Sequence, residues 1–379
     1  MRVLHVISDR NIGGAGVLLT SLLKRLDRTR VENVVALPEG SLLEGRICAL
    51  GIPVRHLHRD CDRYNRQSVR EIKHLIDDEE IDIVHANAAI CARVAGRLTG
   101  VVVIHTRHCC FPPHGAWKWR LFSLIGGRIN AMLSDRVIAT AEAAAENLRL
   151  LGVPRSSIEV IVNGSEPIRQ VSPVELELLR DQLSLSAEDY CIGICARLEE
   201  CKGHDVFLHA AKLVLEQKKD ISFRFLIVGN GSQAETLKKL AEDLGISDFV
   251  RFVGFVEDMA PIYRLLRINI NCSRATETSC LALSEGMSAG IPFIASDFGG
   301  NVAMQGGSDA GILFPVDDAQ ALAEAIVRFS SDPDLERRMR KAALARYQEK
   351  YTAEQMGKHL TAVYERLYRI KCEEQASRL

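Results

Sequence analysis

The sequence predicts an α/β protein built from two doubly wound, Rossmann-like domains. Short, almost wholly apolar runs recur along the 379 residues, separated by segments of helix length. Strands without a polar face belong to parallel sheets covered on both sides by crossover helices. The series pauses once, at NGSEPIRQVSPVE, and then resumes. A chain of this length also exceeds the roughly 100 to 200 residues of an ordinary domain.

The first series of strands reads VLHVIS, ENVVAL, VRHLH, IDIVHA, VVVIHT, DRVIAT and IEVIVNG, with helices expected near 15–26, 42–49 and 67–78. The second reads YCIGICARL, ISFRFLIVGNG, FVRFVGF, RININ, IPFIAS and AGILFPV. The expected domains are therefore residues 1–168 and 169–350. Residues 351–379 follow as one long helix, because Met356, Leu360, Val363, Tyr364, Leu367 and Tyr368 recur at helical spacing.

Composition narrows the class. Hydrophobic residues make up 47% and charged residues 26%, as in an ordinary globular protein with a full core. Net charge is −1; residues 1–168 hold 22 Lys/Arg against 18 Asp/Glu, leaving 26 against 31 for the remainder. Neither half has the strongly basic character that nucleic-acid binding requires, so no nucleic-acid partner is expected. The eleven cysteines show no CxxC pair and read as reduced, mostly buried fillers. The opening MRVLHVISDR is too short an apolar run for a signal peptide or membrane span, so a cytoplasmic location is expected.

In open α/β sheets, ligands sit beyond the carboxyl ends of the strands. After YCIGICA come Arg197, Lys202 and Gly203, which bring two cations to a strand end near a helix N-terminus, a setting that suits a diphosphate. The bland alternative is a solvated loop in which Glu199 and Glu200 neutralise both. Gly229 and Gly231, after FRFLIV, and Gly14, after the first strand, permit close approach of backbone to a nucleotide. Neither turn meets the full dinucleotide fingerprint, which ranks a nicotinamide oxidoreductase last.

Most of the functional case rests on Glu277-Thr-Ser-Cys-Leu-Ala-Leu-Ser-Glu285, which follows RININ and leads into a helix. Two separated carboxylates can grip the hydroxyls of a sugar and of a ribose at once. Backbone N–H groups at the intervening helix start, around Ser279, Cys280 and Leu281, can hold phosphates between them. Two exposed helix glutamates are the competing reading of this pair.

These residues resemble the retaining glycosyltransferases of family 4, which carry a Glu–seven residues–Glu motif in the second domain. The matching pieces follow the family's order: IGGAG, VVVIHTRH, VNGSE, ARLEECKG, VGNG, GFVED, ETSCLALSEGMSAGIPFIAS and DFGG. The resemblance implies a GT-B fold, with the two domains facing across a cleft and the C-terminal helix crossing back to the first. It implies transfer of a sugar from a nucleotide-diphosphate donor, a UDP-sugar foremost, with retention of configuration. Arg197 and Lys202 would bind the diphosphate, Glu285 the ribose and Glu277 the transferred sugar. Gly14 would approach the phosphates, and Phe255 and Val256 would flank the base. His105 would hydrogen-bond the donor sugar, with His108 a weaker candidate and Arg107 available to an anionic acceptor. Where the family often has Pro-Glu after the DFGG turn, this chain has Val302-Ala303.

No metal and no other cofactor is expected, since Arg197, Lys202 and helix termini supply positive potential. The acid–any–acid triplet Asp60-Cys61-Asp62 reads as a solvated turn. Residues 114–133, HGAWKWRLFSLIGGRINAML, combine both tryptophans with Lys118, Arg120 and Arg128 and contain no acid. Such a segment either lies on an anionic membrane surface, placing the enzyme peripherally beside a lipid-linked or cell-envelope glycan acceptor, or packs internally. A sugar-nucleotide epimerase or hydrolase of the same fold and a non-catalytic nucleotide-sugar-binding protein are the remaining alternatives.

Overall fold

The computed structural model describes residues 1–8, 10, 13–59, 61, 63–108, 117–275 and 277–377, with the side chains of 117–123 excepted. Its chain forms two compact units, Met1–Ser165 with Thr352–Leu379, and Glu166–Tyr351. The first unit thus takes in the C-terminal helix, and the chain leaves it at Ser165 and returns at Thr352.

The first unit holds a parallel sheet of β1 (Arg2–Ile7), β2 (Glu32–Pro38), β3 (Val54–Leu57), β4 (Ile83–Asn87), β5 (Val102–Arg107), β6 (Arg136–Ala139) and β7 (Ile158–Val160). Their order across the sheet is β3-β2-β1-β4-β5-β6-β7. The strands that read as apolar throughout are buried almost end to end, as a sheet covered on both faces requires. The helices expected near 15–26, 42–49 and 67–78 occupy Gly14–Arg25, Glu44–Cys48 and Arg66–Asp78.

The terminal helix Ala353–Ala376 packs its buried Met356, Leu360, Val363, Tyr364 and Leu367 on this unit, beside the helix Gly14–Arg25. Gly357 permits the contact, since a Cβ there would lie 2.7 Å from the Arg25 carbonyl oxygen. A buried polar network adds direction to the apolar packing. The Tyr364 hydroxyl pairs with His85 Nδ1 at 2.5 Å, and His85 Nε2 pairs with Thr106 Oγ1 at 2.6 Å.

The second unit holds β8 (Tyr190–Cys195), β9 (Phe223–Val228), β10 (Val250–Gly254), β11 (Leu266–Asn271), β12 (Phe293–Ser296) and β13 (Gly311–Phe314). They are parallel, in the order β10-β9-β8-β11-β12-β13. The strand order reverses between β8 and β11, which are neighbours in space but lie far apart in sequence. A ligand crevice opens at such a switch point, because the flanking crossovers depart to opposite sides.

No helix among the described residues is long and apolar enough to cross a membrane. Nine cysteines are described and none of them is in a disulfide: Cys61, Cys91, Cys191, Cys272 and Cys280 are buried, whereas Cys48 and Cys372 are exposed.

Candidate functional site

The loops after β8 and β11 carry the acid and the base that the sequence singled out, and the switch point brings them together. Lys202 ends a short 3₁₀ turn, Glu200–Lys202, and is followed by Gly203 in the left-handed region at φ 67°. A side chain at 203 would collide with Cys272, whose carbonyl oxygen lies 2.2 Å from the Cβ position, so only glycine lets the β8 loop close onto the end of β11. Across that contact Lys202 Nζ donates to Glu277 Oε2 at 2.8 Å.

Glu277 lies in the loop before the helix Leu281–Ser288, and is only 6% exposed. The same carboxylate oxygen accepts a bond from Ser273 Oγ at 2.8 Å and a longer one from Asn271 Nδ2 at 3.5 Å. Burial is the largest influence on this carboxyl and pushes its pKa up. The Lys202 charge and the bonds from Lys202, Ser273 and Asn271 together outweigh it and leave the pKa below its ordinary value. Lys202 is the mirror case, lowered most by burial and raised on balance by Glu277 and lesser neighbours. A buried ammonium–carboxylate pair results, with both groups charged at neutral pH.

Two further contacts fix the Glu277 loop. At its far side Gly299 and Gly300 press on its backbone, where Cβ atoms would lie 2.3 Å from the Glu277 carbonyl oxygen and 1.8 Å from that of Thr278. This close approach accounts for the paired glycines of DFGG. At its near side Arg274 Nη2 donates to both carboxylate oxygens of Asp205 at 3.0 Å, and Nε lies 2.7 Å from Asp317. Beneath the loop, Asn301 Nδ2 donates to Asn271 Oδ1 at 3.2 Å.

Glu285 sits in the second turn of the helix and is half-buried. It accepts a 2.8 Å bond from the hydroxyl of the fully buried Tyr263. Burial pushes its pKa up, and the Tyr263 bond offsets only part of that rise. Between the two acids, Ser279 Oγ is buried without a hydrogen-bond partner among the described residues. The reading of Glu277 and Glu285 as two exposed helix glutamates is therefore overturned, because the helix begins after Glu277 and both side chains turn inward.

The remaining predicted residues separate from this cluster. Arg197 is exposed, and its side chain makes no hydrogen bond or ion pair among the described residues. Glu199, expected on the bland reading to neutralise it, is held by the backbone N–H of Ser232 at 3.3 Å and by its hydroxyl at 2.8 Å. The space left by Gly229 and Gly231 is occupied by the chain itself: Cβ atoms would meet the carbonyl oxygens of Ala196 at 2.1 Å and Leu198 at 2.3 Å. These two glycines thus serve the packing of the β9 turn on the β8 loop. Phe255 is 58% exposed, whereas Val256 packs against the apolar cluster around Tyr263.

In the first unit, Gly14 opens its helix with open space around the Cβ position. His105 and His108 leave β5 on opposite faces, as an odd spacing on a strand requires. His108 lies beside Asn87, with Nε2 3.0 Å from Asn87 Oδ1, whereas buried His105 lines a cavity under the helix Trp117–Met132. Asp60 and Asp62 lie outside the described residues, as do residues 114–116 and the side chains of 117–123.

The order of these elements, the Glu277–Lys202 pair and the inward Glu285 can now be set beside known proteins. A sequence profile described as Glycosyl transferases group 1 matches residues 177–346, and one described as Glycosyltransferase Family 4 matches residues 12–168. EpsD of Bacillus subtilis (strain 168), named as a glycosyltransferase, is 30% identical over 320 residues, covering 81% of this chain and 82% of its own.

The chain belongs to this glycosyltransferase family.

A D-inositol 3-phosphate glycosyltransferase of Streptomyces griseus is 27% identical over 394 residues, covering 91% of this chain and 83% of its own. Among solved structures, Anabaena HepE in complex with UDP and glucose superposes with a TM-score of 0.83 at 21% identity, covering 96% of this chain and 99% of that one. At that identity the likeness concerns the fold, a two-domain GT-B arrangement. Sequence reasoning about this glycosyltransferase missed Ser273, Asn271, Tyr263 and the Arg274 clamp. Asn269 and Asn271 offered a signal, being two amides inside the otherwise apolar strand RININ.

Proposed function

We propose that this glycosyltransferase moves a sugar from a nucleotide-diphosphate donor, a UDP-sugar foremost, to an acceptor with retention of configuration and without a metal. The observation that carries the proposal is the buried Lys202–Glu277 pair beside the inward carboxylate of Glu285 at one switch point. In this reading Lys202, with Arg197, stabilises the charge that develops on the departing diphosphate. Glu277 accepts hydrogen bonds from hydroxyls of the transferred sugar, and Glu285 accepts them from the ribose. Ser279 Oγ and the backbone N–H groups of Cys280 and Leu281 supply phosphate donors at the helix start.

The departing diphosphate oxygen takes the acceptor's proton as the new glycosidic bond forms and the sugar–phosphate bond breaks on the same face. The protein then needs no nucleophile, and its contribution is charge held in place before the reaction. His105, Gly14, the exposed Phe255 and the partly buried Val256 complete the proposed donor contacts.

For the acceptor we propose a lipid-linked or cell-envelope glycan precursor met at a membrane surface. Support comes from the helix Trp117–Met132, where Leu124, Ile125, Ile129 and Met132 are exposed, Met132 by 75%. An apolar helix face accompanied by basic residues suits the interface of an anionic membrane.

A panel of nucleotide sugars tests the donor by thermal shift, and product analysis with and without a glycan-lipid acceptor tests the reaction. An α-configured donor should give an α-linked product under chelator. An inverted product refutes retention, loss of transfer in chelator that manganese restores refutes metal independence, and free sugar or an epimer as sole product replaces transferase by hydrolase or epimerase. Co-sedimentation with anionic but not neutral vesicles is expected; its absence removes the membrane part.

A further inference from the structure

Asn301, in the first turn of the helix Gly300–Gln305, has no exposed surface, and its amide ends a buried chain of polar groups that runs to Glu277. Asn301 Nδ2 lies 3.1 Å from the carbonyl oxygen of Ser296, 3.2 Å from the Ser296 hydroxyl and 3.2 Å from Asn271 Oδ1. Asn271 Oδ1 also accepts from the backbone N–H of Ser273 at 2.9 Å. The nitrogen of the same amide, Asn271 Nδ2, lies 3.0 Å from Cys280 Sγ and 3.5 Å from Glu277 Oε2. Ser296 Oγ donates to the Ser273 carbonyl oxygen at 2.6 Å, which ties β12 to the same loop.

The direction of each amide follows from groups whose polarity cannot change. A carbonyl oxygen only accepts, so the Ser296 carbonyl turns the nitrogen of Asn301 toward itself. The hydroxyl hydrogen of Ser296 is committed to Ser273, so its oxygen accepts as well. Asn301 therefore presents a donor to Asn271. That donor and the Ser273 N–H together claim the oxygen of Asn271 and leave its nitrogen for Glu277 and Cys280. A carboxylate tolerates only a donor there, whereas a thiol can donate or accept. A reversed Asn271 amide would set its oxygen against Glu277 Oε2.

Packing alone does not account for an asparagine at this position. Asn301 Oδ1 is buried with no hydrogen-bond partner among the described residues, which is destabilising, and an apolar side chain of similar size would avoid it. What the asparagine adds is the donor. At the other end of the chain, Lys202, Ser273 and Asn271 all converge on Oε2 of Glu277, so Oε1 is the oxygen with no donor among the described residues.

We propose that Asn301 is a positioning residue: it holds the Asn271 amide in one orientation, and that amide helps fix the Glu277 carboxylate with Oε1 left for the transferred sugar. The sugar part rests on the donor reading given above; the control of Glu277 by Asn301 does not.

Two measurements test it. The first is calorimetric melting of Asn301→Ala, Glu277→Gln and the double variant. A glutamine at 277 can donate or accept and so tolerates either orientation of Asn271. The fall in melting temperature caused by Asn301→Ala should therefore be smaller by at least about 2 °C in the Glu277→Gln background, whereas independent sites would add. The second is titration of the unsubstituted protein and Asn301→Ala with UDP and with UDP-glucose. Affinity for UDP-glucose relative to UDP should fall at least about fivefold, a split that general loosening of the fold does not produce. Ser296→Ala, which removes one acceptor from the same amide, takes the place of Asn301→Ala if that variant does not fold. Additive melting temperatures, or equal losses of affinity for UDP and UDP-glucose, overturn the proposal. Non-additive melting in a protein that binds neither probe at millimolar concentration upholds the relay from Asn301 to Glu277 and overturns the donor assignment instead.

Discussion

Replacing Lys202 by methionine separates what the buried ion pair does for the fold from what it does for transfer. The substitution keeps length and apolar volume but leaves the Glu277 carboxylate buried with only Ser273 and Asn271 as donors. Two unit charges 2.8 Å apart attract by about 6 kcal/mol at an effective dielectric constant of roughly 20. Desolvation consumes much of that, but breaking one side of a buried pair still costs about 3–5 kcal/mol. For a unit the size of Glu166–Tyr351 this is a fall in melting temperature of roughly 6–20 °C. The double substitution Lys202→Met/Glu277→Gln removes both charges and should regain most of the loss. Turnover at saturating donor should behave otherwise, falling at least about tenfold in Lys202→Met, since one lost donor to developing charge commonly costs on the order of 3 kcal/mol, and staying low in the double variant. Calorimetry of each variant, followed by initial rates at a temperature where all are folded, gives both readouts. An unchanged rate in Lys202→Met, or a rate that recovers with stability in the double variant, would refute a role beyond folding.

Acid should weaken the first unit before the second. Burial, the dominant cause, lowers His5 and His108 to about 4 and holds His85 and His105 well below 6.5. A depressed folded pKa means the native state binds fewer protons, so the stability is present above about 6.5 and lost as pH falls toward 4. Near pH 5.5 His5 and His108 each cost about 1.2 kcal/mol relative to neutral pH, with His85 and His105 acting in the same direction, against His204 alone among the described histidines of the second unit. Calorimetric transitions that fall equally would contradict this. Tyr263→Phe removes the hydroxyl that donates to the Glu285 carboxylate. It should raise the donor KM several-fold with a smaller effect on kcat, and an unaltered KM would detach Glu285 from donor binding. Gly300→Ala places a methyl group 1.8 Å from the Thr278 carbonyl oxygen; the Glu277 loop must move, so turnover should fall at least about tenfold while circular dichroism stays native-like, and full activity would show the loop's position to be immaterial.

The sequence by itself determined the two sheets, their parallel strands and the terminal helix, because these follow from apolar periodicity, which is local: RININ and FRFLIV can only be buried strands, and Met356 to Tyr368 can only be one face of a helix. It also marked Glu277, Glu285 and Lys202 by position after strands. Tertiary structure alone decided which partners they take. Lys202 and Glu277 are 75 residues apart and meet because the strand order reverses between β8 and β11, a relation no local pattern encodes. Long-range contact likewise decided that Gly229 and Gly231 make room for the carbonyl groups of Ala196 and Leu198. It also left Arg93 buried, with Nε and Nη1 unpartnered among the described residues. A glycine or an arginine announces the need for space or for an anion; only the packed chain shows what fills it.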